Sequence, residues 1–156
     1  MKLRIFTDGA CSGNPGKGGW ACIINLKDKV IKSGGCEEYT TNNRMELKAV
    51  YEAVKFIAKN IEKLKRVGYD SLEIHSDSAY VVNALTKGWT ENWLQNDWKT
   101  KSGEDVKNKD LWANLITLNN MLSFDFDIDF VKVKGHSGNY FNELADEYAR
   151  EMLKSL

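Results

Sequence analysis

Along the first third of the chain, apolar residues come in short runs broken by glycines and polar residues, the pattern of strands joined by turns. Leu3–Asp8, Trp20–Asn25 and Val30–Cys36 read as three strands. Gly13, Gly16, Gly18 and Gly19 punctuate the first connection, and Lys27-Asp28 suits a tight hairpin between the second and third strands. Three consecutive strands with short links imply an antiparallel meander. The period then changes. From about Asn43 to Arg66 there is no glycine or proline, and Val50, Ala53, Ile57, Ile61 and Leu64 follow at steps of three and four. That spacing predicts one long helix with a single buried face. Thr40 to Asn43 supply N-cap candidates, and Gly68 suits the stop.

Beyond Gly68 strands and helices alternate. Leu72–Ser76 is a strand running into Asp77, and Ser78–Lys87 a short helix closed by Gly88. Trp89–Asp110 is polar, charged and rich in tryptophan; Leu111–Met121 is helical. Ile128–Val133 is a fifth strand. Phe124, Phe126, Ile128 and Phe130 alternate with aspartates before Val131 and Val133 shift the apolar phase, which reads as a bulge or as a strand buried on both faces. Asn142–Leu156 is a final helix. The order βββ-α-β-α(α)-β-α predicts an α/β fold, a mixed sheet with helices packed on it.

Composition narrows the class. The 156 residues suit one domain, taken here as residues 1–156, with enough length to bury a core without disulfides or a structural metal. Lysine plus arginine equals aspartate plus glutamate, so the net charge is zero and bulk charge alone does not hold the chain to nucleic acid or an anionic membrane. No apolar run reaches the length of a membrane span, and no secretory signal opens the chain. Cys11, Cys22 and Cys36 are odd in number and lack CxxC spacing, so neither a disulfide framework nor a thiolate zinc site is expected, and a reducing cytoplasm is the expected compartment.

Four carboxylates carry the candidate chemistry. Asp8 ends the first predicted strand, where the plain reading is a turn cap. Asp77 follows the fourth strand and precedes a helix, where the plain reading is an N-cap. Glu46 resists such a reading. Counting back along the apolar stripe through Ile61, Ile57, Ala53 and Val50 reaches Glu46, a carboxylate on the face that meets the sheet. Buried glutamates are rare unless paired or metal-bound, and the helix dipole is only a partial excuse. Asp146 lies in the final helix four residues before Arg150, a natural ion pair. Asp8, Asp77 and Glu46 together suggest more, because two strands end in Asp, the helix between them starts with an inward Glu, and sites in such sheets form where strand ends meet helix starts. Oxygen ligands without histidine or cysteine suit Mg²⁺ or Mn²⁺, and carboxylates holding two such ions suit phosphoryl transfer.

With these residues in place, the chain resembles a bacterial type 1 ribonuclease H over nearly its full length. The matching segments are TDGACSGNPGKGGWA (7–21), TTNNRMEL (40–47), HSDSAYV (75–81), WTENWLQNDWKT (89–100), KNKDLW (107–112) and VKGHSGNYFNELAD (133–146). The resemblance implies a five-stranded mixed sheet of order 3-2-1-4-5 and endonucleolytic cleavage of the RNA strand in RNA–DNA hybrids, leaving 5′-phosphate and 3′-hydroxyl ends. It implies that Asp8 bridges two Mg²⁺ ions, with Mn²⁺ a substitute. Glu46 and Asp77 complete the nucleophile-side site and Asp146 the other. His136 matches a histidine that moves protons or aids product release, whereas His75, in a strand, is structural. Asn14 and Asn43 match positions that contact the minor groove, with Asn42 beside them. Thr41 matches a residue that holds a DNA phosphate, and Trp89 an aromatic lying against the DNA strand. Trp93 and Trp98 are expected to pack.

The chain departs from the family pattern in two places. Gly88–Asp110 has the length of a substrate-gripping protrusion, yet four lysines there face five carboxylates. Ala79 replaces an amide-bearing residue common in relatives. The partner expected is an RNA–DNA hybrid, with no membrane, no hybrid-binding domain before Met1, and a monomeric chain. The alternatives are an inactive hybrid-binding module or a DNA-directed nuclease of the same fold, such as a junction resolvase. The tryptophan protrusion and the asparagine pair favour the hybrid.

Overall fold

A computed structural model describes residues 1–134 and 138–155. Strands β1 (Lys2–Gly13), β2 (Gly16–Asn25) and β3 (Val30–Thr40) form the meander. Helices α1 (Asn42–Lys59) and α2 (Ile61–Val67) lead to β4 (Ser71–Ser76). Then follow α3 (Ala79–Thr86), α4 (Trp89–Gln95), α5 (Lys109–Leu122), β5 (Asp127–Lys132) and α6 (Tyr140–Lys154). The sheet order is β3-β2-β1-β4-β5, as the resemblance implied. β1 lies at the centre, antiparallel to β2 and parallel to β4.

The glycine-rich segment is sheet, not loop. β1 continues through Asp8 to Gly13, and β2 begins at Gly16. The glycines serve close packing instead. A Cβ on Gly19 would lie 2.4 Å from the Ala149 carbonyl oxygen, so only glycine lets α6 approach β2 this closely.

The single helix expected over 43–66 is two. Asn60 leaves helical geometry at φ −126°, ψ 22°, and its Nδ2 donates to the Phe56 carbonyl at 2.8 Å. An asparagine side chain competes with the backbone for such partners, and here it breaks the helix without glycine or proline. The apolar stripe survives the break, since Val50, Ala53, Ile57 and Leu64 are all buried.

β5 is regular where a bulge or two-sided burial was expected. It runs in unbroken register beside β4, from Ser71 opposite Asp127 to Ser76 opposite Lys132. Its apolar residues Ile128, Phe130 and Val131 are only half-buried, because β5 is an edge strand. α6 starts two residues earlier than the sequence suggested. Asn139 caps it, its Oδ1 accepting from the amides of Phe141 and Asn142 at 3.0 and 3.1 Å.

Side chains alternate across the sheet. Leu3 and Ile5 of β1 join the larger core beneath α1 and α5, with Val50, Ile57, Ile74 and Trp112. Phe6 and Ile23 face the other way and pack on Ala145 of α6, with Phe141, Leu144 and Tyr148 around them. Each fully buried Leu, Ile or Phe of these two layers contributes about 1.5–3 kcal/mol. They clamp β1 between α1 and α6, which fixes where the carboxylates of all three elements fall.

Candidate active site

Asp8 lies within β1, opposite Ala21, and is 7 % exposed. It therefore does not cap a turn; the strand runs on for five residues. Glu46 sits in the first turn of α1 and is 4 % exposed, as the apolar stripe predicted. It reaches the sheet over Gly9, where a Cβ would stand 2.5 Å from the Glu46 amide nitrogen. The Gly9 amide donates to Glu46 Oε1, while Glu46 Oε2 is buried with no partner among the described residues.

Asp77 follows β4 directly. The cap of α3 is Ser78, whose Oγ accepts from the Val81 amide at 3.2 Å, so the Asp77 carboxylate is not the cap. Carboxylate oxygens of Asp8, Glu46 and Asp77 all lie within 4.8 Å of one another. Asp146 of α6 borders the same cleft, with Thr7, Asn142 and Glu143 on its far side. Its Oδ2 accepts from Arg150 Nη2 at 2.6 Å, so the ion pair expected along the helix forms and the residue faces the site as well.

Charge explains the strain of this arrangement. Two carboxylates about 5 Å apart repel by on the order of 3 kcal/mol at an effective dielectric near 20. A helix N-terminus returns only about 0.3–1 kcal/mol. Burial raises Asp8 up to about 7; the bond with Glu46 pulls it down, and the Asp77 and Asp146 charges push it up further. Burial, then contact with Asp8 and Asp77, raises Glu46 well above the usual carboxylate range. Four convergent carboxylates, one with an unpartnered buried oxygen, fit a hard divalent cation with oxygen ligands.

The RNase H family model matches residues 1–154. The chain belongs to the RNase H family. Ribonuclease H of Syntrophomonas wolfei is 47 % identical over 157 residues, covering 99 % of this chain and 98 % of its own. Ribonuclease H of Caldicellulosiruptor saccharolyticus is 44 % identical over 157 residues, with 99 % and 98 % covered. Among solved structures, LC9-RNase H1, a type 1 RNase H with the type 2 active-site motif, superposes with a TM-score of 0.77 at 27 % identity, over 99 % of this chain and 72 % of that one. LC11-RNase H1, solved in complex with an RNA/DNA hybrid, shares the fold, with a TM-score of 0.66 at 22 % identity over 98 % of this chain and 97 % of that one.

On this RNase H fold the remaining candidates separate into two groups. Asn14, Thr41, Asn42 and Asn43 line one groove, and Asn42 and Asn43 also border the carboxylate cleft. Asn14 Oδ1 accepts from the Asn42 amide at 3.1 Å, which ties the β1–β2 turn to the start of α1. Trp89 is apart from them, half-exposed in a recess with Trp93, Asn92 and Lys101. Trp93 packs as expected, its ring 6.3 Å from Trp98 and 5.3 Å from Trp112. His75 is structural as expected: its Nε2 lies 2.7 Å from Glu73 and its ring 4.5 Å from Phe6. His136 lies outside the described residues. Ala79 borders the cleft, as its place after Asp77 required.

Sequence reasoning missed Tyr80, Lys107 and Asn108, which complete the groove opposite the asparagines. The signals were the HSDSAYV segment, which holds Tyr80, and the KNKDLW segment, which holds Lys107 and Asn108; both marked the family without giving these residues a role. Nothing in the second showed that Asn108 would adopt a left-handed φ of 61° and face α1.

Proposed function

We propose that this chain hydrolyses the RNA strand of RNA–DNA hybrids endonucleolytically, leaving 5′-phosphate and 3′-hydroxyl ends, and that residues 1–156 act as one ribonuclease H domain. The observation that carries the proposal is the convergence of Asp8, Glu46 and Asp77 from β1, α1 and the end of β4, with Asp146 from α6 beside them.

Two Mg²⁺ ions, replaceable by Mn²⁺, would lower the pKa of an attacking water and neutralise charge on the leaving oxygen. Asp8 is central enough to offer an oxygen to both. Glu46, held by the Gly9 amide, and Asp77, released from capping by Ser78, serve the nucleophile side. Asp146, anchored by Arg150, serves the leaving-group side. His136 moves a proton or aids product release.

Substrate reading falls to the amides. RNA presents 2′-hydroxyls in a wide, shallow minor groove. An amide both donates to and accepts from a hydroxyl, so Asn14, Asn42 and Asn43 suit that task, next to the carboxylates. The Thr41 hydroxyl accepts from the Arg44 amide, which leaves its own proton free for a DNA phosphate. Trp89 offers a flat apolar face to the DNA strand. Among the described residues no helix is long and apolar enough to cross a membrane. We place the enzyme in the cytoplasm as a monomer.

The test is digestion of labelled hybrid in Mg²⁺ beside single-stranded RNA, duplex RNA and duplex DNA. Cleavage confined to the RNA of the hybrid is expected. Binding without cleavage would mean an inactive module, and cleavage of duplex DNA a DNA-directed nuclease.

A further inference from the structure

Arg44 is the first residue after the two groove asparagines of α1, and it borders neither the carboxylate cleft nor the groove itself. Its guanidinium reaches across to the entry of α5. Nη2 donates to Asp110 Oδ2 at 2.7 Å and Nη1 to Asp110 Oδ1 at 3.0 Å, a two-pronged pair. Nη1 also donates to Asn108 Oδ1 at 3.3 Å, and Nε lies 3.7 Å from Glu37 of β3. The backbone of the same residue donates to Thr41 Oγ1 at 3.2 Å. One residue thus touches both walls of the groove that holds Asn14, Thr41, Asn42 and Asn43 on one side and Lys107 and Asn108 on the other.

The chemistry of the contacts decides how both walls face. A guanidinium can only donate, so Asn108 must present its oxygen to Arg44 and its NH₂ elsewhere. Asn108 Nδ2 donates to Tyr80 Oη at 3.2 Å, and the same oxygen accepts from Trp112 Nε1 at 2.8 Å. The second Asn108 N–H has no partner among the described residues, and Asn108 lines the groove. Asn108 precedes α5 yet gives its own helix no side-chain cap; its amide is committed instead to α1 and α3. The Thr41 hydroxyl on the facing wall is held by the backbone instead, one lone pair taken by the Arg44 amide and its proton left over. Both walls therefore offer donors, with the Lys107 ammonium beside them, a surface suited to an anionic oxygen.

We propose that Arg44 is a positioning residue for the substrate: without touching nucleic acid, its guanidinium locks the donor face of Asn108 across the groove from Thr41 and sets the groove's width through Asp110. This rests on the reading of the chain as a hybrid endonuclease, and concerns a residue that reading leaves without a role. The guanidinium is already matched by Asp110 and Glu37, so it has little charge left for a phosphate.

The experiment is steady-state cleavage of hybrid by Arg44→Ala, Asp110→Ala, the double variant and Arg44→Lys, with hybrid affinity measured at several salt concentrations in Ca²⁺. Arg44→Ala should raise KM for hybrid about tenfold and leave kcat within about twofold. Asp110→Ala should move KM the same way, and the double variant should be no worse than Arg44→Ala, as residues acting through one contact are not additive. Arg44→Lys should recover little, because an ammonium cannot serve Asp110 with two prongs and Asn108 together. The slope of log affinity against log salt should not change. A slope reduced by about 0.7–0.9 would show that Arg44 contacts a phosphate directly and would overturn the proposal. So would an unchanged KM, or a fall in kcat at constant KM that tracks loss of folded enzyme. If the wild-type chain did not cut hybrid at all, the functional reading would fail before this one was reached.

Discussion

Asp8 holds its proton in the fold at a pH where an unfolded chain has released it. Burial first, then Asp77 and Asp146, raise it from an ordinary 3.8 up to about 7. A carboxyl raised in this way adds stability in full below pH 4 and loses it as pH rises to about 7, at up to roughly 1.4 kcal/mol per pH unit. Glu46 is raised for the same reason and adds to the trend. Thermal melts in chelator should therefore show the midpoint falling across that window, and Asp8→Asn should flatten the fall and melt higher than wild type near neutral pH. Adding Mg²⁺ should raise the wild-type midpoint, since a cation that binds only the fold stabilises it, and should raise that of Asp8→Asn far less. A chelated wild type whose stability rose from pH 4 to 7 would contradict this electrostatic account. Of the four carboxylates, Glu46 was the most legible in the sequence, because an apolar stripe led to it. Asp77 was ambiguous: Asp and Ser are both good caps, and only the fold shows that Ser78 takes the role. Asp8 looked like a strand end because glycines follow it, yet those glycines continue the strand.

Elements were read well where one period ran unbroken and poorly where a single side chain changed the backbone. The apolar stripe of α1 and α2 placed the inward face correctly but carried no mark of the break at Asn60, which depends on one side-chain hydrogen bond. The protrusion shows the same limit. Asp97 and Trp98 both take left-handed φ, 53° and 58°, and nothing in the local sequence demanded it. Left-handed geometry costs a non-glycine residue roughly 1–2 kcal/mol. Asp97→Gly should therefore raise the melting midpoint, and an unchanged or lower midpoint would mean that the Asp97 side chain compensates the strain. Charge in this element belongs to binding. Lys99 pairs with Asp105, an exposed residue bridged to it antiparallel, and Asp110 is committed to Arg44. An exposed pair of this kind is worth less than about 1 kcal/mol, so losing it has a small cost for folding. Replacing Glu104 and Asp105 with lysine should tighten hybrid binding and steepen its salt dependence, measured in Ca²⁺ to suppress cleavage, without changing which nucleic acid is cut. Affinity and slope both unmoved would place the protrusion away from the substrate.

At the scale of the whole molecule, the site exists because β1 is the central strand. Its parallel partner β4 brings Asp77 to the same end of the sheet, α1 covers one face with Glu46, and α6 covers the other with Asp146. Strand and helix order was legible from periodicity. The position of α6 was not, because it depends on Gly19 admitting the Ala149 carbonyl, a contact between residues 130 positions apart. Only the resemblance to ribonuclease H placed Asp146 with the others beforehand. The central claim is that this convergence, not any one carboxylate, makes the chain a metal-dependent hybrid nuclease. The measurement that tests it most directly is the rate of hybrid cleavage at saturating Mg²⁺ by Asp8→Asn, which keeps the side-chain shape and removes one charge from the shared position. Cleavage should fall by roughly three orders of magnitude or more, about 4 kcal/mol of transition-state stabilisation, while the variant stays folded and still binds hybrid. Cleavage by Asp8→Asn within about tenfold of wild type would contradict the account.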